Sequence, residues 1–503
     1  MSPRRQPAPH LRVTLLMTVL VAAALADASA IGRAAPAIQR PNILLIYADD
    51  QGAWTLGAEG NRQAHTPVID RLAREGARFL NAFTTTPVCS PARASMLTSR
   101  YGSELGILDF ITPTTHKEYV PGRSDHGLEE RFPTFPAALA QAGYATALFG
   151  KWHLGDWRTP TGAKYHPTRH GFTHFFGFIG GGAGPTDPEI EVAGVPTRFK
   201  GLTDDILTDA AIAYMKENRA KPFYVQLALR SPHSPWLPAA PEDMAPYEKM
   251  EPDLPHPDYP DLDAVKARRM MREYLTSVSG VDRNVGRLLA VLQQLGLAEN
   301  TIVIYSSDNG YNLAHNGIWH KGNGYWLTKS LPTGGPNIPG KFRPNMYDNS
   351  LRVPLVIVWP GVVRPGLEIS HTVSGLDWYP TVLAMAGVSV PENTFVRGRN
   401  FLPLLRGEKP AAWDNDLYAE YSMRVYARTD LRTYRTPRWK LTVDFLNPGR
   451  DELYDLVGDP AETRNLVDDP GVEAQAARLQ LAQKIRDAML ANHDPIANRS
   501  SAP

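Results

Sequence analysis

Cysteine is almost absent from this chain: one, Cys89, in 503 residues. A single thiol makes no internal disulfide, so Cys89 is left for packing, metal binding or chemistry. Net charge is equally scarce, with 53 basic side chains against 52 acidic ones and a formal +1. That balance excludes a global electrostatic pull toward nucleic acid or acidic membranes, so any anion must be gathered by local placement. Long apolar runs are missing apart from residues 13–26, and that run is shorter than the roughly 20 residues that span a bilayer comfortably. Arg4, Arg5 and Arg12 precede it and Ala28-Ser29-Ala30 follows it, which reads as a cleaved export signal over 1–30. The expected mature protein is secreted or periplasmic, with no membrane span after cleavage. Proline (44) and glycine (40) are abundant instead, and their excess over average usage predicts long loops on a conventional core.

Four apolar runs, 42–48, 145–149, 223–229 and 301–305, read as buried strands of a mainly parallel sheet. Helical spacing lies between them: Ile69, Leu72 and Ala73 after Thr66-Pro67, then Phe135, Leu139 and Ala142. A longer stripe of Val281, Val285, Leu288, Leu289 and Leu292 falls between Asp263 and Gly296. Alternating strands and helices predict an α/β fold with a large, mainly parallel, doubly wound sheet flanked by helices. Past residue 407 the texture changes to short strands at 417–421 and 439–443 and a closing helix at 473–491. We expect a catalytic domain at 41–407 after a linker at 31–40. A small C-terminal α+β subdomain with an antiparallel sheet is expected at 408–503. Gly180-Gly181-Gly182-Ala183-Gly184 lacks the lysine of a phosphate-binding loop and reads as a turn. Residues 234–262 carry eight prolines and read as a rigid rim.

Each apolar strand runs into polar residues, at the edge where open α/β sheets gather ligands. Asp49-Asp50 and Asp308-Asn309 offer hard oxygen donors, which suit calcium in preference to magnesium. Arg93, Lys151, His153, His233 and Lys321 supply cations and proton carriers for a small tetrahedral anion. Ser90 is expected to cap a helix opened by Pro91, which sets Cys89 beside a helix N-terminus that favours an anion. From this feature alone a buried thiol acting as a small hydrophobe is an equal reading.

Cys89-Ser90-Pro91-Ala92-Arg93 matches the C-x-P-x-R signature, and the chain here resembles the type I sulfatases of the alkaline-phosphatase-like superfamily. The blocks Pro41 to Asp50, Gly150-Lys151-Trp152-His153-Leu154-Gly155, Ser231-Pro232-His233-Ser234-Pro235, Ser307-Asp308-Asn309-Gly310, Leu351-Arg352-Val353-Pro354 and Glu452-Leu453-Tyr454-Asp455-Leu456 are similar to family blocks in the same order. The resemblance implies a sulfuric ester hydrolase in which a maturation enzyme oxidises Cys89 to formylglycine. A divalent cation, calcium rather than magnesium, would sit among Asp49, Asp50, Asp308, Asn309 and residue 89. It also implies that a hydroxyl of the aldehyde hydrate attacks sulfur. Arg93 would hold the hydrate, and Lys151, Lys321 and His233 would bind sulfate oxygens. His233 would protonate the leaving oxygen, and His153 would take the proton that lets sulfate depart. The expected substrate is a sulfate ester of a carbohydrate or an aryl alcohol.

Three features depart from the pattern or compete within it. The family continuation Leu-Thr-Gly is Leu97-Thr98-Ser99 here, which bears on recognition by the maturation enzyme. Lys329 and Lys341 compete with Lys321, which the preceding His315-Asn316-Gly317 favours. His320 either serves the substrate alcohol or is idle. Trp236, Trp319, Tyr325 and Trp326 are candidates for stacking on a ring or for plain packing. Two rivals stay in view: a phosphate or phosphonate ester hydrolase, and an exported binder of sulfated glycans with an intact thiol.

Overall fold

All seven residues of Asn42–Ala48 (β1) are buried, and their side chains alternate between two cores. Ile43, Leu45 and Tyr47 enter one core; Leu44 and Ile46 enter the other. A strand that is apolar at every position belongs at the centre of a covered sheet, and each fully buried Leu or Ile there contributes about 1.5–3 kcal/mol. The computed structural model describes residues 40–498 apart from 123, 181 and 182. The expected export signal, the linker up to residue 39 and part of the glycine run therefore lie outside the described residues.

Ala145–Lys151 (β2), Phe223–Ala228 (β3) and Thr301–Ser307 (β4) complete the central group, in spatial order β4-β1-β3-β2 with every pairing parallel. His174–Phe178 adds a fifth parallel strand beside β2. Antiparallel pairs extend both edges, 355–358 beyond β4 and 189–198 beyond 174–178; 77–79 then pairs antiparallel with 355–358 and parallel with 367–369, which makes ten strands in all. One face is covered by Pro67–Glu75 and by Ala264–Gln294, whose Val281, Val285, Leu288 and Leu292 pack against it. Cys89–Thr98 (α1), Phe135–Gln141 and Trp378–Met385 cover the other. The mainly parallel, doubly wound α/β architecture is as the sequence implies.

Some local expectations change. Ser90 does not cap α1, because the helix already includes Cys89 and Val88 occupies the cap position. The Ser90 hydroxyl instead accepts a hydrogen bond from the Ile111 N–H at 3.0 Å. β2 continues past Phe149 through Lys151, placing that lysine inside the strand. The C-terminal antiparallel sheet has four strands, Leu417–Tyr421, Leu431–Arg435, Trp439–Asp444 and Glu452–Asp455, with Val472–Ala491 as its helix. Another four-stranded antiparallel sheet, from Asn312–Leu313 to Phe342–Pro344, carries His320 and Lys321. Among the described residues no helix is long and apolar enough to cross a membrane.

Candidate active site

The parallel register decides what meets at the sheet edge. Ala48 pairs with Ser307, and Tyr47 and Gly150 both pair with Ala228, so Asp49-Asp50, Asp308-Asn309, Lys151 and the 229–233 segment leave the sheet side by side. The Asp308 N–H still donates to the Ala48 carbonyl at 3.2 Å, while Asp50 turns through a left-handed φ of 67°. That turn aims the Asp50 N–H at Asp308 Oδ1, 3.2 Å away.

α1 presents Cys89 to this edge from its first turn. The Cys89 Sγ lies 3.5 Å from Asp49 Oδ1 and 2.8 Å from Lys321 Nζ. One turn on, Arg93 Nε donates to Asp308 Oδ2 at 2.8 Å and Nη1 donates to the Lys151 carbonyl at 3.1 Å, with the guanidinium 5.3 Å from the Tyr47 ring centre. Lys151 Nζ donates to Asp49 Oδ2 at 2.6 Å, and Lys321 Nζ donates to Asp50 Oδ1. Lys321 lies against Cys89, whereas Lys329 and Lys341 are exposed.

Each histidine has one nitrogen committed and one available. His153 Nε2 is 2.9 Å from the Ile111 carbonyl, so it carries the proton, and the buried Nδ1 has no partner among the described residues. Burial, followed by the charge of Lys151, holds this imidazole well below the ordinary histidine pKa and therefore neutral. His233 Nδ1 donates to the Ser234 carbonyl at 2.7 Å, leaving Nε2 3.7 Å from Asp50 Oδ2. Burial lowers His233 to about 4, against the pull of Asp50.

The carboxylates divide. Burial raises all three, but Lys151 with His233 and Arg93 outweighs it and holds Asp49 well below the carboxylate range. Lys321, with His233, lowers Asp50 as well, whereas at Asp308 burial prevails over Arg93 and the pKa rises. Burial also pushes the Cys89 thiol up to about 12 despite two nearby lysines, so it is protonated at neutral pH and a weak nucleophile.

Ligand atoms of Asp49, Asp50, Cys89 and Asp308 lie within 4.8 Å of one another. Asp50 Oδ2 and Asn309 Oδ1 are buried without a hydrogen-bond partner. Buried oxygens without donors, in a set of hard carboxylate and amide ligands, fit a divalent cation. Asn309 Nδ2 orients the group by donating to Asp50 Oδ1 at 2.8 Å.

Sequence reading missed the supports. The Ile111 carbonyl that sets the His153 tautomer carries no side-chain signal. Tyr274 was not singled out by sequence; it lies on the Ala264–Gln294 helix, and its hydroxyl donates to the Asp50 carbonyl at 2.8 Å. Trp236 is buried with its Nε1 on the Pro232 carbonyl and is a packing residue. Ser99 takes the left-handed helix-ending position with φ 57°, and its hydroxyl binds the Leu376 carbonyl and the N–H groups of Arg397 and Gly398.

A family model described as sulfatase matches residues 41–388, and one described as N-sulphoglucosamine sulphohydrolase, C-terminal, matches 342–489. The steryl-sulfatase of Mus musculus is 30% identical over 477 residues, covering 78% of this chain and 70% of that protein. The N-acetylglucosamine-6-O-sulfatase of Bacteroides thetaiotaomicron is 27% identical over 533 residues, covering 90% and 87%. A solved structure in complex with its substrate D-glucosamine-2-N,6-O-disulfate superposes with a TM-score of 0.75 at 25% identity, over 92% of this chain and 100% of that one.

Proposed function

The chain belongs to the type I sulfatase family and is a sulfuric ester hydrolase; from that premise we propose that it desulfates carbohydrates outside the cytoplasm, using Cys89 matured to formylglycine and a bound calcium ion. The observation that carries the reading is the convergence of Cys89, Lys321, Lys151 and His233 on the paired carboxylates at one sheet edge. Carbohydrate is favoured because the relative matched over most of both chains acts, by its name, on a sulfated amino sugar. The solved structure's ligand is a sulfated glucosamine. Export rests on the 1–30 signal reading.

The hydrate of formylglycine at position 89 supplies two hydroxyls, one to attack sulfur and one whose deprotonation lets sulfate leave. Calcium held by Asp49, Asp50, Asp308 and Asn309 would neutralise sulfate charge and acidify an adjacent hydroxyl. The remaining work falls to side chains in place. Lys151 and Lys321 bind sulfate oxygens and stabilise the charge that grows on them. His233, with Nδ1 fixed on Ser234, presents Nε2 to the departing alcohol oxygen; it protonates that oxygen from its imidazolium form, which the negative charge of a bound sulfate ester favours. His153, with Nε2 fixed on Ile111, has the Nδ1 lone pair free to accept a proton from residue 89. Arg93 locks Asp308 and the end of β2 in register with α1.

The two-metal form of the phosphate-ester rival draws no support from the ligand count, since one cluster of three or more His, Cys, Asp and Glu ligands is found among the described residues. A two-metal site needs more. The glycan-binder rival leaves the unpartnered His153 Nδ1 without a use. Mass analysis of the Cys89 peptide from protein co-expressed with a maturation enzyme is expected to show the aldehyde or its hydrate. Turnover of 4-nitrophenyl sulfate is expected to exceed that of 4-nitrophenyl phosphate and to disappear with EDTA. An intact thiol, or preference for phosphate, would refute the proposal.

A further inference from the structure

His320 sits in a conformation that its side chain makes expensive. Its φ is 84°, a region open to glycine and strained for other residues. The strain is held from several sides. Asn312 Nδ2 donates to the His320 carbonyl at 3.0 Å, and Asn345 Nδ2 donates to the Lys321 carbonyl at 3.0 Å. The Gly322 N–H donates to the Pro87 carbonyl at 2.9 Å, which joins the segment to the residues before Cys89.

The orientation of the ring suggests a purpose. His320 Nδ1 is 2.6 Å from Asn323 Oδ1, an acceptor, so Nδ1 carries the proton and Nε2 offers a lone pair. Among the described residues nothing donates to Nε2, and the side chain is half-buried, unlike the enclosed Lys321 beside it. The ring centre is 6.4 Å from that of His233, edge to face. Tyr311, Trp319 and Tyr325 surround it at 5.4–5.6 Å and fix its pose. An acceptor is thus held rigidly beside the residue proposed to protonate the leaving oxygen. That separation is within the span of an ester oxygen and a nearby hydroxyl or N–H of the same sugar.

We propose that His320 is a specificity-determining residue whose Nε2 accepts a hydrogen bond from a hydroxyl or amide N–H of the sugar close to its sulfate ester. The inference rests on the hydrolase reading of the Cys89 site and narrows it to alcohols that carry a second donor. A site built around such a bond discriminates strongly against alcohols lacking the donor.

The test uses matured full-length enzyme and the variants His320→Gly and His320→Asn. Glycine relieves the strained φ, and asparagine tolerates it while keeping an acceptor. The sugars are N-acetylglucosamine 6-sulfate, N-acetylgalactosamine 6-sulfate and D-glucosamine-2-N,6-O-disulfate; the comparison ester, which has no donor, is 4-nitrophenyl sulfate. For the sugar the parent takes fastest, His320→Gly is expected to lose about tenfold to a hundredfold in kcat/KM. On 4-nitrophenyl sulfate it should change by less than about threefold, with an unfolding midpoint no lower than the parent's, and His320→Asn should regain part of the loss. Equal losses on both kinds of ester, no loss on either, or a parent active on 4-nitrophenyl sulfate but on none of the sugars would overturn the assignment. A parent inert on all four esters counts against the hydrolase reading instead. Binding of N-acetylglucosamine 6-sulfate and of inorganic sulfate to Cys89→Ser protein, with and without His320→Gly, then decides His320. Selective weakening of the sugar supports the assignment, and any other pattern overturns it.

Discussion

Arg93 and Asp308 are both enclosed, at 2% and 0% exposure, and each is the other's principal counter-charge. Removing one partner leaves the other charged and out of water, which costs about 3–5 kcal/mol for a buried pair. Arg93→Ala is therefore expected to lose that much stability in urea unfolding with EDTA present, whereas calcium should restore part of it by screening Asp308. A variant as stable as its parent under chelation would show that Asp308 is held by other means. The chemistry of these residues was legible from type and spacing: Cys89 and Arg93 lie four apart, and two acid-bearing pairs follow apolar strands. Which nitrogen of His153 or His233 bears the proton was not legible, because the deciding acceptors are backbone carbonyls of Ile111 and Ser234. Ser99 was read only as a departure. In the fold it ties the end of α1 to Leu376, Arg397 and Gly398, contacts that a glycine could not make.

The strands that carry the site are held to close tolerances. Gly150, one residue before Lys151, has φ 100°, and a Cβ there would stand 2.0 Å from the Ala228 carbonyl oxygen of β3. Gly150→Ala would have to part β2 from β3 at the point where Lys151 leaves for the site. It is expected to abolish soluble expression or, where folded protein is recovered, to cut kcat on 4-nitrophenyl sulfate at least tenfold. Full solubility with unchanged kcat would contradict the tight register. The four central strands were legible because both faces are buried and their sequences are therefore apolar throughout. Leu431–Arg435 was missed for the opposite reason. Its Arg432 is buried, and Nε donates at 2.6 Å to Asp494, 62 residues away, a pairing that no local window contains.

Protonation connects such local details to the stability of the whole molecule. His170, buried against the Trp152 ring at 5.5 Å, is lowered by burial to about 4 from an ordinary 6.5. Between those values the unfolded chain binds the extra proton and the native one does not, so stability rises with pH across the window. The contribution is complete above pH 6.5 and is lost as pH falls through 4, for a total of about 3 kcal/mol. Parent protein should lose more stability than His170→Gln between pH 7 and pH 4 in urea titrations. Equal losses would place the acid sensitivity elsewhere. Distant parts are joined by a similar buried network, in which Lys440 of the C-terminal sheet donates to Asp348 at 2.8 Å and to Glu462 at 2.7 Å.

The sequence alone determined the layered α/β core and the kinds of group available at the sheet edge. Burial demands apolar runs, and hydrolysis of a sulfate ester demands cations, proton carriers and hard oxygen donors. Only the tertiary structure decided that Lys321, and neither Lys329 nor Lys341, reaches Cys89, and that His320 has a left-handed φ with its Nδ1 held by Asn323. Those outcomes depend on contacts between segments hundreds of residues apart, such as Lys321 with Cys89 across 232 positions. Electrostatic and hydrogen-bonding energies follow distance in space, which separation along the chain does not reveal.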